Sequence, residues 1–308
     1  MELRQLRTFL AVAEERHFGR AAQRLHLAQP AVSQQIRSLE ADLGTRLFDR
    51  TSRSVELTSA GQTLLAGTTD ILDRVAQLAE ATRATGRALR GELRLNYART
   101  APVGVATDIV EEFRRRHPEV ALTIDTVTTA RSVEQLRDGT RDAAFVRLPL
   151  SDTHDLDVIE IGRDPLVAAL PASHRLARRR TVSRADLQGE RLVFWPREQG
   201  PGFHDWIVAQ VFGGVLPEIA RIEPDTEQMV RAVARKAGWA VTTRSRASLL
   251  AVRGVVFKPF AADVPAAPLG LAWRPADSSP PLRRLIAIAR KLSEQPSSPG
   301  AWHSAPQS

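Results

Sequence analysis

Residues 18–61, FGRAAQRLHLAQPAVSQQIRSLEADLGTRLFDRTSRSVELTSAG, decide the fold of the N-terminal region. They spell two short helices, a tight connection, and a β-ribbon that leads into a third helix. The first helix offers Ala21, Ala22 and Leu25, small enough for close helix–helix approach. Leu27-Ala28-Gln29 makes the turn, and Pro30 falls in the first turn of the next helix, where its missing N–H costs nothing. Val32, Ile36 and Leu39 recur at i, i+4 and i+7, so one face of that helix is buried. The other face carries Ser33, Gln34 and Arg37, with Gln29 just ahead of them. Such short polar donors and acceptors suit base edges and phosphates. Taken alone they would describe an ordinary surface helix. The next residues tip the balance: Phe48-Asp49-Arg50 and Arg53-Ser54-Val55-Glu56-Leu57 form a short hairpin with Arg50 and Arg53 at its tip. This order predicts a winged helix-turn-helix, a device for placing one helix in the DNA major groove.

Upstream, Leu6, Phe9, Leu10 and Ala13 follow i, i+3, i+4, i+7 and predict a helix that closes the small core. Downstream, Thr58 is the expected N-cap of a long helix reaching about Leu89. Leu64, Ile71, Val75 and Leu78 form one apolar row, and Leu65, Leu72 and Ala79 a parallel one. Roughly thirty helical residues extend about 45 Å. Two rows of that length exceed what the small domain can cover. The helix therefore either pairs with a second chain or lies on the chain's own C-terminal domain, and two-fold reading of DNA favours pairing.

From Gly91 short strands and helices alternate. Strands are expected at 92–97, 120–126 and 142–146, with helices at 103–116 and near 131–138, a βαβαβ order that predicts a parallel sheet. A second set comes next: strands 165–170, 191–195, 218–223 and 238–242, with helices 203–212 and 226–236. The strand 269–274 and the helix 280–293 are expected to return to the first set, with chain crossings near Gly162 and Pro265. The expected division is a DNA-binding domain at 1–58, a dimerisation helix at 59–90 and an effector domain at 91–293. The effector domain comprises lobe I (91–162 and 266–293) and lobe II (163–265), and 294–308 is a Pro/Ser-rich disordered tail. The fold class is α+β overall.

A two-lobed domain binds its ligand between the lobes, at strand C-termini and helix N-termini. Thr100, with the Ala101 and Val103 amides, is placed at the start of the first helix, and Thr129 at the start of the second. Arg147 follows Phe145-Val146 at a strand end, where its fork would hold a carboxylate or form a hinge salt bridge with Glu160 or Asp164. Phe203 either lines the pocket or starts a core helix. These groups suit a small carboxylate better than a sugar or a cation.

The segment AAQRLHLAQPAVSQQIRSLEADLGTRLFDR followed by SVELTSAG resembles the DNA-binding domain of LysR-type bacterial transcriptional regulators over more than forty residues. FRRRHPEVALTI, LRDGTRDAAFV and VARKAGWAV, in that order, resemble the effector domain that these regulators share with periplasmic solute-binding proteins. The resemblance implies a tetramer built as a dimer of dimers, binding to an interrupted inverted repeat, and a ligand that alters how the dimers pair. AFVRLPL is similar to regulators of aromatic degradation, which respond to benzoate, muconate or chlorocatechol-derived acids. Asp49, Arg99 and Thr242-Thr243-Arg244 depart from the family pattern, at the wing and at two walls of the cleft. The effector is expected to be a small organic acid, aromatic-derived acids among the candidates; the alternatives are a non-aromatic metabolite or no effector at all.

Composition narrows the remainder. The chain has 308 residues and no Cys, which excludes disulfides, Cys-ligated zinc and cysteine nucleophiles. A start rich in Glu, without a cleavage pattern, does not read as a signal peptide, and no apolar run approaches membrane-spanning length, so a cytoplasmic protein is expected. The net charge of +8 weighs little, because residues 1–60 hold nine Arg against seven acidic side chains. No nucleophile elbow, HExxH helix, P-loop or GxGxxG fingerprint occurs, and neither enzymatic activity, cofactor nor metal is expected. Ser151-Asp152-Thr153-His154-Asp155 reads as a polar loop rather than a metal site, and His174 to Arg180 as solvated basic surface. A solute-binding protein would leave the DNA motif unexplained, and a nucleoid architectural protein would leave the two-lobed domain without a role.

Overall fold

The computed structural model describes residues 1–50, 55–89, 91–99, 104–262 and 264–294. It divides into two units, Met1–Glu80 and Ala81–Ser308.

In the first unit, α1 (Leu3–Glu15), α2 (Phe18–Arg24) and α3 (Gln29–Leu43) pack around Phe9, Val12, Ala21, Ala22, Ile36 and Leu39, all buried. The Phe9 and Phe48 rings meet at 5.3 Å. His17 caps α2, its Nδ1 accepting from the Gly19 and Arg20 amides at 3.0 and 3.2 Å. Between α2 and α3 the chain turns through a left-handed His26 (φ 55°), and α3 begins with Pro30 in its first turn. It ends at Gly44, where φ of 67° suits a residue without Cβ. The wing comes next as β1 (Phe48–Arg50) and β2 (Val55–Leu57), antiparallel, with Phe48 opposite Leu57. Glu40 anchors the wing to α3 by accepting from the Leu47 and Phe48 amides at 2.9 and 3.3 Å.

Thr58 starts α4 (Ser59–Leu89): its hydroxyl accepts from the Gly61 amide at 3.0 Å and donates to the Arg46 carbonyl at 2.7 Å. Gly61 permits this joint, because a Cβ there would fall on the Leu47 carbonyl oxygen. Leu64 and Leu65 pack on the core of the first unit, while Ile71 is 42% exposed and Leu78 70% exposed.

The second unit contains two sheets. The first has the order β4-β3-β5-β12-β6 and is built from β3 (Glu92–Ala98), β4 (Ala121–Val127), β5 (Ala143–Arg147), β6 (Asp157–Asp164) and β12 (Ala267–Trp273). Helices α5 (Val105–Arg116), α6 (Thr129–Arg137) and α10 (Pro280–Ser293) cover it. Phe113, Phe145, Leu271 and Leu285 lie in its core. The second sheet sets β7 (Leu166–Pro171) between β10 (Ala240–Thr243) and β11 (Val255–Pro259), both antiparallel to it. A parallel pair, β8 (Leu192–Phe194) and β9 (Ile219–Ile222), joins it through the Val193 amide, which donates to the Trp239 carbonyl at 2.7 Å. Helices α7 (Pro201–Phe212) and α8 (Thr226–Ala234) and the single turn α9 (Arg244–Ala247) complete it.

Three features differ from the sequence reading. The first sheet is mixed rather than parallel: β3 runs parallel to β4 and β5, but β12 is antiparallel to both of its neighbours. The chain leaves this sheet at Asp164 and re-enters opposite it at Ala267, so the returning strand must run the other way. Strand β6 is absent from the sequence reading. Four of its eight residues are charged, a composition that only an edge strand accommodates. Strand β11 is absent from it too; it lies at the edge of the second sheet and is half-buried throughout. Of the tail read from sequence as disordered at 294–308, Glu294 is the helical C-cap of α10, and residues 295–308 lie outside the described residues.

Candidate functional site

On α3 the apolar positions Val32, Ile36 and Leu39 are fully buried. That orientation leaves Gln29, Pro30, Gln34 and Arg37 exposed and Ser33 half-buried on the opposite face. Polar contacts from α1 fix the roll of α3. Thr8 Oγ1 donates to Gln35 Oε1 at 2.6 Å, and Gln5 Nε2 donates to Ser38 Oγ at 3.1 Å and Asp42 Oδ2 at 3.3 Å. Gln5 and Thr8 are buried, and their role is invisible in a pattern that scores polar residues as surface. Arg50 ends β1. Arg53 lies outside the described residues.

In the second unit β3, β4, β5 and β6 all end on one edge of the first sheet, and β8, β9 and β10 end facing them from the second. Between these carboxyl ends lies a cavity of about 540 Å³. Sheets of this kind place ligands outside their carboxyl ends. One wall is polar, from Thr126, Thr128, Thr129 and Arg99; the other is aromatic, from Trp195 and Phe203. Phe203 stacks on Trp195 at 6.0 Å and on Trp206 at 5.8 Å, with interplanar angles of 20° and 13°. Phe203 thus both lines the cavity and packs on the core of the second sheet.

Three expectations change in detail. Thr100 and the Ala101 and Val103 amides lie outside the described residues, and α5 starts at Val105 rather than 103, with Gly104 at its N-cap. The cap of α6 is Thr128, whose hydroxyl accepts from the Arg131 amide at 3.2 Å; Thr129 is the first residue of the helix and also lines the cavity. Arg147 lines the cavity as well, but it is buried and its Nη2 lies 3.1 Å from Asp164 Oδ2 and 3.4 Å from Thr243 Oγ1. Asp164 also accepts from the Ser245 amide at 3.2 Å and from the Ser245 hydroxyl. Burial pulls the Arg147 guanidinium below its ordinary pKa, and Asp164 opposes that shift. Of the two uses open to Arg147 on sequence, the ion pair is the one made here.

Trp195, Thr126, Thr128 and Arg246 are cavity residues that the sequence reading missed. A stronger weighting of Phe194-Trp195 ahead of Phe203 as a recurrent aromatic pattern would have found the first. In the 151–155 loop, Arg137 forks onto Asp155 at 2.9 Å and reaches Asp152 at 3.0 Å, and His154 Nδ1 lies 2.6 Å from Asp152 Oδ1. In the basic segment, Arg175 pairs with Glu190 and Arg179 with Asp186.

A winged helix-turn-helix, a long helix and a two-sheet domain with a cleft between its sheets define a ligand-responsive DNA-binding regulator. Residues 3–62 match the bacterial regulatory helix-turn-helix protein, lysR family, and residues 86–293 match the LysR substrate binding domain. The chain is 41% identical to the HTH-type transcriptional regulator YnfL of Escherichia coli (strain K12) over 68% of its own length and 70% of that protein. It is 33% identical to the HTH-type transcriptional regulator TtuA of Agrobacterium vitis over 94% of its length and 96% of that protein. Among solved structures it is similar to full-length CbnR complexed with its target DNA, at 27% identity and a TM-score of 0.57, covering 96% of this chain and all of that one. The chain belongs to the LysR family and is a ligand-responsive transcriptional regulator. Its family's members are transcriptional regulators. No helix among the described residues is long and apolar enough to cross a membrane.

Proposed function

We propose that this regulator senses a small organic acid held in the cleft between its two sheets, and that the acid alters how the protein spaces its winged domains on DNA. The observation that carries this reading is the cavity itself, with threonine hydroxyls on one wall and stacked Trp195 and Phe203 on the other. A planar acid fits such a pair of walls: the ring lies against the aromatic side chains, and its polar end meets hydrogen-bond donors. Thr100, Thr129, Arg147 and Phe203 remain the effector residues of this reading, with Arg147 acting through its link to Asp164 and Ser245. That link joins the end of β5, the crossing after β6 and the start of α9, so a shift of one lobe against the other must strain or relieve it. Ligand binding then biases a pre-existing equilibrium between lobe arrangements.

On the DNA side we assign base-edge and phosphate contacts to Gln29, Pro30, Ser33, Gln34, Arg37, Arg50 and Arg53. The boundaries 1–58, 59–90 and 91–293 are proposed with them. Pairing of two chains along α4 is proposed from Ile71, an apolar side chain of the helix left 42% exposed. The assembly is a dimer of dimers on an interrupted inverted repeat in the cytoplasm.

The experiment is a thermal-shift screen of small organic acids, with footprinting of the operator in the presence of any acid that stabilises. An acid present at a hundred times its Kd should add about 2.7 kcal/mol to stability. The same acid should change the footprint. Stabilisation without a changed footprint would make the cleft a binding site with no regulatory role.

A further inference from the structure

We propose that Arg246 is the residue that takes the charge of the effector, a role that none of the motifs marking the family resemblance assigns to it. The inference rests on the organic-acid reading above and names the group that would recognise the acid.

Arg246 sits in α9, directly after β10, and lines the cavity. Its neighbour Ser245 is pinned by backbone and side chain to Asp164, which fixes the turn that carries it. The Nε of Arg246 is buried and meets no hydrogen-bond partner among the described residues. Arg246 has no acidic partner among the described residues, and because it lines the cavity an anion entering there would supply one. The other cations along the cavity are committed. Arg147 is held by Asp164, and Arg99 donates across the cleft to the Pro224 carbonyl at 3.4 Å. The carboxylates along the cavity are committed as well: Asp225 caps α8, accepting from the Gln228 amide at 2.9 Å, and Glu227 pairs with Arg231 at 2.7 Å.

Among the described residues, then, a guanidinium with no acidic partner borders a cavity that Trp195 and Phe203 also line. An anion that can lie flat against Trp195 and Phe203 satisfies both conditions, and a carboxylate matches the planar fork of arginine. A cationic ligand would be repelled by Arg246, and a neutral one could accept its hydrogen bonds without answering its charge.

The test uses the full chain and a panel of small aromatic and aliphatic carboxylates, each paired with its amide, in equilibrium titrations. The wild type is expected to bind at least one acid and to prefer it to its amide. Arg246→Gln should lose about tenfold or more in affinity for that acid, which is about 1.4 kcal/mol, while binding of the amide changes less than about twofold. Arg246→Lys should fall between the two. Covalent labelling with phenylglyoxal, mapped by mass spectrometry, gives a readout on the unaltered chain: Arg246 should be modified, and saturating acid should protect it. If no acid binds the wild type, the organic-acid reading fails and this inference with it. If an acid binds both forms equally, or fails to protect Arg246, the organic-acid reading stands and the assignment of Arg246 is overturned.

Discussion

The DNA contacts proposed on α3 come from one unbroken run, Gln29 to Arg37, whereas the cleft takes its walls from separate stretches spread between Ala98 and Arg246. A single helix projects its exposed face by its own period. Once Val32, Ile36 and Leu39 are buried, the direction of Ser33, Gln34 and Arg37 is settled. No such local rule places Trp195 opposite Thr126. That placement depends on which strands pair, on β12 running against its neighbours, and on the two crossings near Asp164 and Ala267. The comparison predicts that changes on the exposed face of α3 act on one contact at a time, whereas changes at the cleft act through the join between sheets.

The largest expected effect tests that join. Arg147→Met removes the partner of Asp164 while keeping most of the side-chain volume. Breaking a buried pair from one side costs about 3–5 kcal/mol. Urea unfolding should show that loss, and the Asp164 carboxylate should be left with only the Ser245 contacts. A loss below about 1 kcal/mol, the value for an exposed pair, would detach Arg147 from the join and return it to the pool of direct effector contacts.

The next largest contrasts two glycines of one helix. A Cβ at Gly61 would collide with the Leu47 carbonyl oxygen and reach the Leu57 side chain at 2.8 Å. Gly67, two turns on, is exposed and has nothing within 4 Å of the added atom. Gly61→Ala should therefore cost about 1–3 kcal/mol or more, because the wing joint has no room to move. Gly67→Ala should gain about 1 kcal/mol from helix propensity. Melting curves that rank the two variants in the other order would remove the close approach of α4 to the wing.

Legibility in the sequence follows the same division. Helices α1 to α4 and the wing could be read from period, cap and turn residues, down to Thr58 as the cap of α4. The order of strands and helices in the second unit was also legible, because buried strands such as Ala143–Arg147 are continuous apolar runs. The elements that escaped are those whose burial is partial or whose direction is set from afar. The edge strand β6 is half charged, β11 is half-buried at every position, and the reversal of β12 is a property of the returning chain. At the cleft, Phe203, Thr129 and Arg147 were legible as strand-end and helix-start residues. Trp195 and Arg246 were not: strands at 191–195 and 238–242 were expected, but which residues at their ends face the cleft depends on how those strands pair. The buried amide and hydroxyl of Gln5 and Thr8 escaped for another reason: hydrophobic periodicity takes no account of a polar residue that faces inward to hold another helix.

A smaller effect is expected on α3. Gln34 is exposed on the face opposite the buried row. Gln34→Ala should leave stability within about 0.5 kcal/mol of the wild type. Its effect should appear as discrimination at one base pair, about 1–3 kcal/mol if the contact is a good base-edge pair. Thr8→Val should behave differently, because it frees Gln35 and lets α3 roll, loosening preference at several positions together. Gel shifts on a set of singly altered operators separate the two patterns. Identical profiles for both variants would mean that recognition is not resolved residue by residue along this helix.

The smallest effect is silent at neutral pH and concerns the sheet on which the cleft is built. Tyr97 is the one tyrosine of the chain, so its ionisation can be followed directly as phenolate absorbance in the near ultraviolet. It is buried near the end of β3, its ring stacked on Phe145 at 5.1 Å and its hydroxyl donating to the Ala106 carbonyl at 3.2 Å. Burial penalises the phenolate and pushes the pKa up to about 12, from an ordinary value near 10. A pKa raised in the folded state means that the folded chain holds the proton more tightly than the unfolded one. The stability that this contributes is complete below about pH 10 and is lost as pH rises from there through about 12. The titration should thus show a single late step in the native protein and an earlier one, at about 10, in denaturant. Tyr97 does not line the cavity, so a saturating organic acid should leave the native step where it is. A native midpoint at about 10 would mean that this end of the first sheet is open to water. A midpoint that moves with the acid would mean that ligand binding reaches the core of the sheet, and the contrast between a fixed first sheet and a responsive cleft would have to be given up.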